Sequence, residues 1–156
     1  MTRPIPSDVK VDIALTKKPG DLVWDIYIGD DGDLVPTYGF ETTIIMQTLC
    51  ERRAGDSDIP EAARRRGWLG QENETVPGFE HGSLLWMYFQ ARRNTDAKNK
   101  IQDAISDAFS WMVPDYLNSL RVTCQLDREG VVAAVEAFRK NGTIDKVYFR
   151  LWELTG

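Results

Sequence analysis

The C-terminal part of the chain decides the fold: residues 120–152 read LRVTCQLDREGVVAAVEAFRKNGTIDKVYFRLW. Residues 120–126 alternate apolar and polar side chains, which is the period of a half-buried strand. Glu129 and Gly130 predict a turn, and residues 131–138 a second strand. Asn141-Gly142 then predicts a tight hairpin turn before residues 147–152. The segment therefore predicts an antiparallel β-meander.

Helices are predicted in the middle of the chain, before this meander. Residues 84–92 are apolar on nearly every side, with Ser83 placed as N-cap, which predicts a centrally buried helix. Residues 40–53 carry a further helical pattern. The clearest amphipathic helix ends near Pro114 and has apolar side chains at helical spacing: Ile101, Ala104, Ile105, Ala108, Phe109 and Met112.

Strands are predicted again near the N-terminus, at residues 9–15 and 22–28, with a hairpin turn at Asp31-Gly32. Residues 1–8 are expected to be an extended tail, and residues 54–82 a long irregular loop of the kind that is usually functional or ordered by a partner. The order of strands, helices and meander predicts one α+β domain over residues 1–156, in which central helices pack on an antiparallel sheet.

Composition excludes several classes of protein. The chain has 156 residues and a net charge of −5, a size that buries a core without disulfides or a metal. Two cysteines and one histidine are too few for a disulfide framework or a Cys/His zinc site, so we expect no metal and no cofactor. The acidic total, with no phosphate-binding glycine motif, argues against nucleic acid as a partner.

Membrane association is not expected either. No apolar run reaches the ~18 residues of a spanning helix. The first six residues lack the apolar segment of a secretory signal, which predicts synthesis and assembly in the cytoplasm.

Two constellations could carry catalysis, and each has a simpler interpretation. His81 could pair with Cys50 or Cys124, but both cysteines stand where small buried side chains are typical. Glu41 and Glu51 flank one predicted helix, about 15 Å apart, which is too far for either glycosidase geometry. We therefore predict that the chain is not an enzyme.

Asp30-Asp31-Gly32-Asp33 resembles part of a calcium-binding loop. Val35 stands where that loop requires glycine, so a hairpin turn is the better interpretation.

Basic residues cluster at Arg52-Arg53 and at Arg64-Arg65-Arg66, the latter followed by Gly67-Trp68 inside the long loop. A solvated loop is one interpretation and contact with an acidic protein neighbour is another. Because arginine and tryptophan are the usual anchors of protein interfaces, the second is favoured. The partner-binding candidates here are Arg52, Arg64, Arg65, Arg66 and Trp68.

A series of short motifs runs through nearly the whole chain. The most specific pair is Arg66-Gly67-Trp68 followed by Gly82-Ser83-Leu84-Leu85-Trp86. The others are Asp12-Ile13-Ala14-Leu15, Glu41-Thr42-Thr43-Ile44-Ile45, Leu49-Cys50-Glu51-Arg52-Arg53-Ala54, Trp111-Met112-Val113 and Phe149-Arg150-Leu151-Trp152. In these motifs the chain resembles the baseplate protein family of Mu-like contractile phages. That family is similar to the sheath-initiator, lysozyme-like wedge proteins of other contractile tails and of type VI secretion systems.

The resemblance implies a structural role in the tail baseplate of the virion. Such wedge subunits occur in several copies in a sixfold baseplate, contact other wedge proteins, the sheath and tube or hub proteins, and help to start the sheath around the tube. The alternative is a small cell-wall-directed hydrolase, because the relatives are described as lysozyme-like. A third possibility is an adaptor unrelated to phage.

The resemblance also adds site candidates near the C-terminus. In the relatives a Glu-Pro-Arg motif stabilises the wedge core, whereas Val113-Pro114-Asp115 keeps only the proline, so Asp115 is a candidate contact without the salt-bridging role. Relatives lend C-terminal strands to sheath subunits by strand addition. Residues 120–126 or 147–152 could supply the edge, with Tyr148 and Trp152 as contact candidates.

Overall fold

A computed structural model of the protein describes residues 11–16, 25–75, 77, 79–89, 95–128 and 130–151. It divides into two compact units, Met1–Ile44 and Ile45–Gly156, and the division falls inside the first α-helix. Two α-helices and small antiparallel sheets make up the described part, which confirms the predicted α+β class. No helix among the described residues is long and apolar enough to cross a membrane.

The first unit contains four short strands. β1 (Val11–Ile13) pairs with β4 (Pro36–Tyr38), and β2 (Leu15–Thr16) pairs with β3 (Asp25–Ile26), both antiparallel. A bridge between Ile28 and Leu34 closes the predicted hairpin, and Gly32 takes a φ of +83° in its turn. The strand β4 was not predicted, because proline and glycine at its ends suggested a break.

Helix α1 (Glu41–Leu49) is shorter than the predicted helix over residues 40–53. It ends because the chain beyond it becomes extended: Glu51 forms a parallel bridge with Ser83. Helix α2 (Thr95–Ala108) confirms the helix predicted from the clearest amphipathic pattern. The last turn of that prediction, Ser110–Met112, forms a separate 3-10 helix.

The buried helix predicted over residues 84–92 is wrong. Over residues 84–89, the part of this range that the structure describes, one 3-10 turn forms, Leu85–Tyr88, and only Leu85 in it is buried. Ser83, predicted as the N-cap, does accept the Leu85 N–H on its Oγ at 3.2 Å, and the same hydroxyl donates to the carbonyl of Thr48 at 2.8 Å. Residues 90–94 lie outside the described residues.

The C-terminal meander is confirmed. β5 (Leu117–Leu126), β6 (Val131–Arg139) and β7 (Ile144–Arg150) form an antiparallel sheet with β6 in the centre. Helix α2 packs on β5, and its buried side chains are Ala97, Ile101, Ile105 and Ala108. Alternate sheet residues face the same core: Val122, Cys124, Val131, Ala133, Val135, Ala137, Val147 and Phe149.

Candidate protein-binding surface

The long loop leaves and returns at one place in the fold. Its two ends pair through backbone hydrogen bonds, in which the Ser83 N–H donates to the Cys50 carbonyl (2.9 Å) and the Arg52 N–H to the Ser83 carbonyl (3.0 Å). Gly82 has a φ of +89°, and a Cβ there would lie 2.3 Å from the carbonyl oxygen of Cys50. Only glycine therefore allows the two chain segments to approach so closely.

Gln47 on α1 holds the end of this loop through buried side-chain hydrogen bonds. Its side chain is buried. Nε2 lies within hydrogen-bond distance of the carbonyls of Glu80 (3.2 Å), Gly82 (3.3 Å) and Ala108 (2.9 Å), and Oε1 accepts the N–H of Gly82 at 3.2 Å. One amide thus ties helix α1, the loop and the end of α2 together.

Arg65, predicted as a partner contact, is directed into the loop. Its Nε donates to the Ile59 carbonyl and its Nη2 to the Pro60 carbonyl, both at 2.6 Å, and its Nη1 pairs with the Asp56 carboxylate. The side chain is 15% exposed. Its hydrogen bonds therefore order the loop backbone.

Arg52 is similarly placed. Its guanidinium pairs with Asp107 of α2 at 2.7 Å and lies 3.8 Å from Glu80, and the side chain is largely buried. Its carbonyl accepts the indole N–H of Trp86 at 2.9 Å. These contacts join the start of the loop to its end and to α2.

Arg64 and Arg66 are the exposed arginines of the predicted cluster. Arg66 pairs with Glu51 at 2.6 Å and lies 5.4 Å from the centre of the Trp86 ring, a distance at which cation–π attraction acts. The Arg64 side chain is 74% exposed, with a long 3.6 Å contact to Glu61. Surface ion pairs of this kind contribute little, so Arg64 is available to a partner.

The apolar tip of the loop is formed by Trp68 and Leu69. Trp68 is 45% exposed and Leu69 is 94% exposed. The Trp68 ring lies over Gly70, where a Cβ would come within 2.3 Å of it. The tryptophan ring therefore packs directly against the glycine backbone, and the large apolar side chain of Leu69 lies beside it in solvent.

A chain of edge-to-face aromatic contacts supports this tip. Ring centres are 4.6 Å apart between Trp68 and His81 and between His81 and Phe79, 4.8 Å between Phe79 and Trp111, and 5.7 Å between Trp111 and Tyr116. Pairs of this geometry add about 0.5–1.5 kcal/mol each beyond burial.

Hydrogen bonds fix the middle of this series of aromatic rings. His81 Nε2 lies 2.6 Å from the Glu74 carboxylate, and the His81 N–H donates to Gln71 Oε1 at 2.9 Å. Gln71 Nε2 donates in turn to the Phe79 carbonyl at 2.7 Å. The rings and these hydrogen bonds preorganise the loop from its tip to the turn before β5.

Two tryptophans in this region differ in their polar contacts, and a prediction follows. Trp86 Nε1 donates to Arg52, whereas Trp111 Nε1 is buried without a hydrogen-bond partner among the described residues. We expect Trp86→Phe to lower the free energy of unfolding by about 1–2 kcal/mol more than Trp111→Phe, because only the first leaves a carbonyl unpaired. Urea denaturation of both variants measures the difference; equal losses would contradict it.

The C-terminal candidates lie on other parts of the second unit. Asp115 is exposed in the turn before β5. Tyr148 is exposed on β7, with Lys146 Nζ 5.0 Å from its ring centre. Trp152 lies outside the described residues. The partner-binding role of all eight candidates stays a prediction.

The two outer strands of the sheet differ in what covers their edges. On β5, the outward N–H of Cys124 donates to Gln102 of α2 at 3.1 Å, so that helix covers part of this edge. Strand β7 pairs with β6 alone among the described strands. Because Leu151 and Val131 form a hydrogen-bonded pair, the backbone groups of Lys146 and Tyr148 point away from β6.

Cys50, Cys124 and Glu51 were among the candidates for catalysis, and each has a structural environment that the fold defines. Burial raises the pKa of the Cys124 thiol to about 11, and burial also raises the pKa of Cys50, so both thiols are protonated at neutral pH and are weak nucleophiles. Glu51 is paired with Arg66. Within the described ranges, no three His, Cys, Asp or Glu side chains come together as metal ligands.

Sequence reasoning missed several residues of this surface. Leu69 was not singled out, although glycines on both sides of Trp68-Leu69 indicate an exposed turn. The contacts of Gln47, Phe79 and Tyr116 carry no local sequence signal, because their partners are distant in the chain.

Comparison with known families identifies the class of protein. The model of the family "Phage protein GP46" matches residues 40–144. The chain belongs to this family, and it is therefore a phage protein. No curated protein matches it. The matched segment includes α1, the whole long loop, α2 and the first two strands of the meander.

Proposed function

We propose that this protein is a structural, non-enzymatic wedge subunit of a contractile-tail baseplate, which helps to start the sheath around the tube. Membership of a phage protein family supports a role in the phage particle. The observation that carries the proposal is the loop tip, where Leu69 is 94% exposed beside Trp68 on a backbone locked by internal hydrogen bonds.

The tip has the character of a preformed interface anchor. Trp68 and Leu69 supply apolar area, and Arg64 adds an exposed cation from the same loop. Tryptophan and arginine dominate the binding energy of protein interfaces. Because the loop is already ordered, a partner would bind it with little loss of conformational entropy. We assign the tip to a neighbouring wedge protein with an apolar, acid-lined pocket.

The meander supplies a second contact, to the first sheath ring. Its outer strand β7 presents backbone donors and acceptors at Lys146 and Tyr148, which is what strand addition requires. Strand β5 is less suited, because Gln102 already occupies the N–H of Cys124. Of the two edges left open by the sequence, we therefore propose β7.

Tail assembly by a phage lacking the gene, complemented from a plasmid, tests this function. The loop variant Arg64→Glu/Leu69→Gln is expected to lower the titre of infectious particles at least 100-fold while the purified protein unfolds at the wild-type temperature. Both changed side chains are exposed, so the fold is kept.

Met46→Gln is the matched control, because Met46 is a half-exposed apolar residue outside the loop. It should complement fully. Normal particles from the loop variant would show that the tip is not part of an interface. Normal particles without the gene would overturn the proposed function.

A further inference from the structure

The two strand pairs and the hairpin of the first unit carry exposed apolar side chains. Alternation along the extended backbone puts Ile26 on the same side as Ile28, which opposes Leu34 across the hairpin. By the same alternation Pro36, the partner of Ile13 in the β1–β4 pair, lies on the side of Leu34. The described exposures of Ile13, Ile26, Ile28 and Leu34 run from 41 to 58%. Four large apolar side chains on one side of these strand pairs and their hairpin are thus in contact with solvent.

The described strand residues of this unit bury little surface. Among its strand residues whose side chains are described, none is buried. The turn itself is well formed, since the Gly29 N–H donates to the Asp33 carbonyl at 2.8 Å and the Val35 N–H to the Tyr27 carbonyl at 3.0 Å. Small sheets of two-stranded pairs are marginal in water unless a hydrophobic face is covered. A partner that covers these apolar side chains would therefore stabilise the strand pairs.

The described segment over residues 25–44 carries charges of one sign. From residue 25 to residue 44 the chain has five acidic residues and no lysine or arginine: Asp25, Asp30, Asp31, Asp33 and Glu41. Three of them stand in the turn beyond Ile28 and Leu34. An interface complementary to this region therefore has an apolar centre and a basic rim.

We propose that the apolar face formed by Ile13, Ile26, Ile28 and Leu34 docks into another tail protein, whose surface carries an apolar cleft bordered by lysine or arginine side chains. The hydrophobic contact supplies the affinity and the aspartates of the turn fix the orientation. This inference rests on the proposed role in tail assembly and assigns it a contact separate from the loop tip.

Two variants test the two halves of the interface in the complementation assay. Asp30→Lys/Asp33→Lys reverses the charge of the turn and keeps Asp31, whose carboxylate accepts the Asp33 N–H at 3.1 Å. Ile28→Thr/Leu34→Thr removes apolar area with a residue that favours strands. Both should lower the titre at least 100-fold. Tyr27→Thr, a similarly exposed change on the opposite face, should remain within threefold of wild type.

Suppressor mutations of the charge-reversed variant identify the partner. Substitutions of lysine or arginine by acidic residues in a different tail protein support the proposal. Suppressors at Arg64 or Arg66 of this chain would instead indicate a second copy and overturn it. Normal assembly by both double variants, with the loop variant still defective, would overturn this inference and leave the proposed function standing.

Discussion

Gln47→Leu is expected to lower the free energy of unfolding of the second unit by about 3–5 kcal/mol, the largest single-residue effect in the protein. Leucine has a similar volume but forms no hydrogen bonds. Its introduction leaves the carbonyls of Glu80, Gly82 and Ala108, and the N–H of Gly82, without the amide that contacts them. Each unpaired buried group costs about 1–3 kcal/mol, and local relaxation recovers part of the sum.

Thr48→Val provides the contrast at the next position. Thr48 is also fully buried, but its hydroxyl oxygen lacks a hydrogen-bond partner among the described residues. Its replacement by valine should leave stability unchanged or raise it slightly. Urea titrations followed by tryptophan fluorescence compare the two variants. A loss under about 1 kcal/mol for Gln47→Leu would show that the amide does not hold the loop.

Gly82→Ala is expected to have the second-largest effect, a loss of about 3 kcal/mol or more. Two costs combine: the φ of +89° strains any L-residue by about 1–2 kcal/mol, and the new Cβ overlaps the Cys50 carbonyl. Because that carbonyl accepts the Ser83 N–H, relief of the overlap breaks the bridge that closes the loop. We therefore expect faster proteolysis within residues 54–82 as well as a lower melting temperature.

The variant Gly142→Ala measures the backbone strain alone, without the steric overlap. Gly142 has nearly the same φ, +87°, but a Cβ there meets no atom within 4 Å. Only the backbone strain of about 1–2 kcal/mol applies. If both alanine variants lose the same stability, the close approach at Gly82 contributes nothing.

The elements that the sequence predicts correctly are those with long, regular patterns. The three strands of the meander and helix α2 each repeat their apolar–polar period several times. The side chains that this local pattern predicts to be buried are therefore the ones that face the core. The hairpin at Asp31-Gly32 was found for a different reason, because its turn demands a particular residue.

The errors arise where distant contacts override local pattern. Residues 84–92 are apolar enough for a helix, but Ser83 forms hydrogen bonds with Cys50 and Thr48, and a single 3-10 turn follows in the described residues 84–89. Arg65 illustrates the same limit within the candidate surface. Its neighbours Arg64 and Arg66 remain exposed, whereas its own donors bind loop carbonyls, and no pattern in a run of three arginines distinguishes the middle one.

Glu51 pairs directly with Ser83, so the two ends of the long loop are joined whatever the number of residues between them. Chain closure becomes less favourable only with the logarithm of loop length, by about 0.6 kcal/mol for each doubling. A change in loop length therefore costs little in chain closure, and its effect on stability comes instead from the hydrogen bonds of Arg65 and the ring contacts of Trp68 that it disturbs. If the loop tip binds a neighbouring tail protein as proposed, the segment between the paired ends can be changed to suit a different neighbour while the helices and sheet that carry it stay the same.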